Sequence, residues 1–108
     1  MVVANMNPIE QFEIERQARI EQLGKDTEFQ KSSQNWLEQS MRKQYVYHFS
    51  WMGRPIMQNP IDLMAMQELL WQVKPDIVIE TGIAHGGSII FSASMLELIA
   101  ASGGNPDA

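Results

Sequence analysis

The stretch Lys74-Pro-Asp-Ile-Val-Ile-Glu80-Thr-Gly82-Ile-Ala-His85-Gly86-Gly87-Ser88 decides the fold. Asp76 to Thr81 reads as a strand, because Ile77, Val78 and Ile79 form an unbroken β-branched run. A run without polar alternation suits a strand covered on both faces, as in a parallel sheet with helices on either side. A glycine-rich turn follows, and the apolar segment after it predicts a helix over Ile89 to Ala101. Strand, glycine turn and helix start together frame a pocket for an anionic or polar ligand. Glycines let the backbone come close to a ligand, and a helix N-terminus offers amide donors with positive partial charge.

Three ligand templates compete for this turn. A phosphate-binding P-loop needs G-x-x-x-x-G-K-[ST]; Gly82 and Gly87 have the glycine spacing, but Ser88 follows Gly87 directly and the lysine is absent. The dinucleotide pattern G-x-G-x-x-G meets Ala84 at its second glycine and Gly87 at its third. The third template is an acid followed by x-G-x-G-x-G directly after a first strand, as in class I methyltransferases. Glu80, Gly82 and Gly86 match it, with Ala84 at the middle glycine. An acid at the strand end suits the cationic ammonium and sulfonium of S-adenosylmethionine better than a pyrophosphate. The third template fits best.

Over a longer window, Trp51-Met-Gly-Arg-Pro-Ile-Met-Gln-Asn-Pro-Ile-Asp62, a helix, and then Lys74 to Ser88 resemble the cephalosporin hydroxylase / rhamnosyl O-methyltransferase family. The resemblance runs from about Tyr45 to Ser94 and is densest from Glu80 to Ser88. It implies an S-adenosylmethionine-dependent O-methyltransferase acting on a hydroxyl of a sugar or secondary metabolite, in the setting of polysaccharide or lipid biosynthesis. It also implies that Glu80, Gly82, His85, Gly86 and Ser88 line the methionine end of the cofactor. Each has a plainer reading beside that one. Gly82 and Gly86 serve any tight turn, Ser88 could be a helix cap, and His85 a solvated loop histidine. For Glu80 and the glycines the ligand reading is preferred; for His85 and Ser88 the two stand level. The loop at Trp51-Met-Gly-Arg-Pro55 precedes the first helix of the family's fold, so Arg54 and Gln58 are secondary candidates.

Composition limits the alternatives. The 108 residues suffice for one small domain with a modest core. No cysteine is present, which excludes disulfides and thiolate metal sites and is compatible with a reducing cytosol. A net charge of −5 argues against a nucleic-acid or anionic-membrane surface. The start Met1-Val-Val-Ala-Asn-Met lacks the basic and apolar regions of a leader, and Ile89 to Ala101 is too short for a membrane span and carries Glu97. A cytoplasmic protein is expected. Eight methionines read as core fillers.

In chain order, Asn7-Pro8-Ile9-Glu10 opens a charge-rich surface helix that should stop at Gly24. A second helix from Asp26 or Thr27 to about Lys43 carries Phe29, Trp36, Leu37, Ser40 and Met41 along one edge, with Trp36 as a core anchor. Tyr45-Val-Tyr-His48-Phe is extended or irregular, and Trp51 to Pro55 is a turn. Asn59-Pro60 starts a core-facing helix to Val73, ended by Pro75. The last helix should be buried on most sides, and Ser102 to Ala108 is loop.

One parallel strand without a partner cannot close a sheet. The expected fold is therefore α/β: an N-terminal helical extension over 1–44, then over 45–108 the first strand–glycine loop–helix unit of a Rossmann-like doubly wound methyltransferase domain, truncated. The resemblance places a ribose-binding acid, metal-binding carboxylates and the catalytic base in later strands, so this chain supplies half a cofactor site, no catalytic residue and no metal ligand. A divalent metal would belong to the full-length family, the partners would be cofactor and hydroxyl acceptor, and homo-oligomerisation is compatible. A different class of reading is a non-catalytic helical interaction module, completed by a partner or by self-association. A nucleotide-phosphate binder is the third, disfavoured by the missing lysine and by Glu80.

Overall fold

A computed structural model of the chain describes residues 6–104. The chain divides between Gln39 and Ser40 into two compact units.

The first unit holds α1 (Pro8–Lys25) and most of α2 (Thr27–Arg42). Asn7 caps α1 as expected: its side-chain oxygen accepts the N–H groups of Ile9 and Glu10, both at 2.9 Å. The expected stop at Gly24 does not occur, and α1 continues to Lys25. Glycine inside a helix costs only about 1 kcal/mol, and Asp26 takes over the punctuation. Its backbone is extended, and its carboxylate accepts the Phe29 N–H at 3.0 Å to open α2. On α1, Gln11 and Arg19 both donate to Glu15, at 2.9 and 3.1 Å, and hold its carboxyl below the usual range. No residue of α1 is buried, and Trp36 of α2, expected in a core, is 45% exposed. Periodicity marks a face able to be covered; it does not supply the cover.

The second unit continues with one turn of 3-10 helix (Tyr45–His48), β1 (Phe49–Trp51), β2 (Arg54–Ile56), α3 (Pro60–Val73) and α4 (Gly87–Ala101). The strands form an antiparallel hairpin with Phe49 opposite Ile56, Ser50 opposite Pro55 and Trp51 opposite Arg54. Met52 and Gly53 make the two-residue turn, both at positive φ (49° and 80°), the geometry that matches the twist of paired strands. The turn expected over Trp51 to Pro55 is thus present and joins two strands, whereas Tyr45 to His48, expected to be extended or irregular, is 3-10 helix.

The hairpin lies on α4. Trp51 stacks edge-on against Phe91 with ring centres 4.8 Å apart, and its indole N–H donates to Ser94 Oγ at 3.0 Å. Gly87 permits the closest approach: a Cβ there would overlap the Pro55 carbonyl oxygen and stand 2.7 Å from Ile56 Cβ. Asn59 caps α3 through the Ile61 N–H at 3.1 Å, and Lys74 ends it at φ 48°, just before Pro75. At the end of α4, Gly103 at φ 80° lets its own N–H reach Ala100 O at 3.0 Å and the Gly104 N–H reach Ile99 O at 2.9 Å, a Schellman closure. Ile56, Leu70, Phe91 and Ile99 form the buried core.

Three expectations need correction. The strand over Asp76 to Thr81 is not formed among the described residues: the segment has no regular structure, and Ile77 and Ile79 are 74% and 87% exposed. A strand is defined by its ladder, and no described neighbour offers one here. Second, α4 begins at Gly87, two residues before Ile89. Third, α3 and α4 are only partly covered, with Leu69 54%, Val73 69% and Leu98 59% exposed. The observed class is mixed helix with a small two-stranded sheet. The sequence readings for residues 1–5 and for the loop over 105–108 lie outside the described residues.

Two glycine substitutions should diverge. Gly87→Ala forces β2 off α4 and is expected to cost about 1–3 kcal/mol, the usual range for overpacking. Gly24→Ala, with nothing within 4 Å of the new methyl, should gain about 1 kcal/mol from helix propensity. Urea unfolding followed by circular dichroism measures both.

Candidate functional site

The turn Ile83 to Gly86 links the apolar segment to α4. Gly86 N–H donates to Ile83 O at 2.9 Å, closing the turn. Two of its backbones and that of the residue before it lie at positive φ: Ala84 at 50°, Gly86 at 86° and Gly82 at 73°. Those are the positions where the acid-x-G-x-G-x-G pattern has its glycines, and the conformation explains why. A left-handed backbone costs an alanine about 1 kcal/mol and a glycine nothing. Ala84 bears that strain.

Gly86 is also the N-cap of α4, with φ 86° and ψ 5°, and it makes no side-chain cap bond. Ser88, one candidate for that cap, instead sits half-buried inside the first turn. The first-turn amides of any helix have no intrahelical acceptor, and α4 carries no acidic side chain there to neutralise its positive end. Those donors suit a polar or anionic group.

Glu80 is half-buried, and its Oε2 is buried with no hydrogen-bond partner. Leaving such an oxygen unpaired costs about 1–3 kcal/mol. An ammonium or hydroxyl of a bound molecule would satisfy Oε2, so the residues present fit S-adenosylmethionine, whose methionine end carries both an ammonium for the carboxylate and a carboxylate for the helix amides. His85 is exposed, and its carbonyl oxygen accepts from Arg54 Nη1 at 3.5 Å.

Among the expected site residues, Glu80, Gly82, His85, Gly86 and Ser88 therefore share one loop and helix start. Arg54, a secondary candidate, is brought to that loop from β2; Gln58 is half-buried two residues beyond the strand. Sequence reading missed Trp51 and Ser94, which join the hairpin to α4 across 43 positions; no local spacing announces such a pair. A concavity between α3 and α4, lined by Gln67, Trp71, Met95, Leu98, Ile99 and Ser102, lies away from the loop and holds no charged side chain.

Among the described residues, no group of three or more His, Cys, Asp or Glu could hold a metal ion, and no helix is long and apolar enough to cross a membrane. Comparison with curated proteins and with solved structures gave no match. Among protein families, the model of rhamnosyl O-methyltransferase/CmcI matches residues 43–105, more than half of the chain and all of the hairpin, α3, the glycine loop and α4. By that match, the chain belongs to the rhamnosyl O-methyltransferase/CmcI family.

Proposed function

We propose that the chain forms the methionine-side half of an S-adenosylmethionine site in an O-methyltransferase whose acceptor is a hydroxyl of a sugar or secondary metabolite. Residues 45–108 are then the first part of a Rossmann-like cofactor domain, and residues 1–44 a helical extension of it. The observation that carries the reading is the buried, unpartnered Oε2 of Glu80 beside a glycine turn that opens a helix. Family membership supports the reaction class.

The parts divide the work by charge. Glu80 accepts from the ammonium, the first-turn amides of Gly87 and Ser88 receive the carboxylate, and Gly82 and Gly86 keep the backbone low enough for both. S-adenosylmethionine supplies, when bound, a methyl group on a cationic sulfur that a hydroxyl oxygen can take. Transfer then depends on alignment and on removal of the hydroxyl proton, and we assign that proton acceptor to no residue of this chain. His85 and Ser88 line the same end of the site, where a hydroxyl and an imidazole can each add a hydrogen bond.

Isothermal titration of the full chain with S-adenosylmethionine tests the reading: saturable binding is expected, and a folded chain without binding would overturn it. Glu80→Gln should weaken that binding about 10- to 100-fold, the worth of a charge-assisted hydrogen bond, while the thermal midpoint stays or rises because Oε2 bonds nothing in the chain. Gly82→Val should abolish binding through the backbone, since φ 73° excludes a β-branched residue although open space surrounds the position. Ala84→Gly should retain it.

A further inference from the structure

The hairpin touches the loop as well as the helix, through one side chain. Arg54 Nη1 donates to the His85 carbonyl oxygen at 3.5 Å. Its stem passes over Gly86, with Cδ and Nη1 at 3.7 and 3.8 Å from where a Cβ on Gly86 would stand. The N–H of the same peptide unit, that of Gly86, donates to Ile83 O at 2.9 Å. A trans peptide is planar, so its C=O and N–H point in opposite directions. The unit between His85 and Gly86 is held at both ends.

That unit is able to turn over. Gly86 tolerates either sign of φ at little cost, so nothing intrinsic to it keeps the peptide in one orientation. A flip would re-aim the Gly86 amide, open the turn at Ile83 and shift the N-cap of α4. The anchor against it lies on β2, which the Gly87 contact fixes to α4, while Trp51 fixes the paired strand β1 to the same helix. Hairpin and loop thus register on the same helix end, and Arg54 spans the gap between them.

We infer that Arg54 is a positioning residue, which holds the His85–Gly86 peptide in the orientation that the cofactor meets. The inference rests on the reading of this loop as the cofactor's cradle, but it requires no contact between Arg54 and the ligand. A single exposed bond has a modest effect. Arg54→Met, which keeps the stem over Gly86 and removes the donors, should speed hydrogen exchange of the Gly86 amide and weaken S-adenosylmethionine binding, each by about 3- to 10-fold. Arg54→Lys, which restores a donor, should recover most of both, and the thermal midpoint of each variant should match that of the original chain.

Exchange is read by NMR on the full chain without ligand, and affinity by calorimetry on the same samples. Unchanged Gly86 exchange in Arg54→Met would overturn the inference, whether or not the chain binds the cofactor. Faster exchange in a chain whose unsubstituted form binds no S-adenosylmethionine would uphold the hold on the peptide and sink the cofactor reading instead. Faster exchange with unaltered affinity would overturn the positioning role.

Discussion

The approach of Gly87 to Pro55 and Ile56 is the constraint on which the second unit depends. Only a residue without Cβ lets the hairpin backbone lie directly on the first turn of α4. Once it does, the rest of the contact is determined by register. Trp51 lies one helical turn further along, against Phe91, and its indole nitrogen meets Ser94. Ile56 becomes the most buried apolar side chain of the core at 2% exposure. The glycine that begins the helix therefore also sets where the sheet can be.

Polar groups along this contact are balanced, and the exception is informative. Ser94 Oγ accepts from Trp51 and donates to the Ile90 carbonyl at 2.8 Å, so one hydroxyl settles an indole brought from 43 positions away. Buried polar atoms in folded chains are normally satisfied in this manner. Glu80 Oε2 is not. The chain satisfies the hydroxyl that holds its packing together and leaves unsatisfied the carboxylate beside its glycine turn.

The sequence made some of this visible and hid the rest for physical reasons. Caps are local, so Asn7-Pro8, Asp26 and Asn59-Pro60 announced three helix starts from adjacent residues alone. The glycine loop was legible because positive φ selects glycine, and Gly82 and Gly86 stand where the backbone demands them. The turn at Trp51 to Pro55 was legible too, but its flanking strands were not, because three residues give too short an alternation to read. The strand over Asp76 to Thr81 failed for the converse reason. Its β-branched run expresses a preference, but pairing is a property of two segments, and among the described residues it has no partner. Glu80 could be picked out by its place before the glycines, whereas its unpaired oxygen could only be seen in three dimensions.

The exposure of Ile77 and Ile79 has a colloidal consequence. Short uncharged β-branched runs in extended backbone are the segments through which like chains stack into cross-β aggregates. Here the run Ile77-Val-Ile79 is only three residues long and is bracketed by Pro75 and Asp76 on one side and Glu80 on the other. A proline cannot donate to a growing ladder, and in-register stacking would bring each carboxylate against its copy at the strand spacing of about 4.8 Å. Glu80 thus places a carboxylate directly after Ile79, where the apolar run is most open to water.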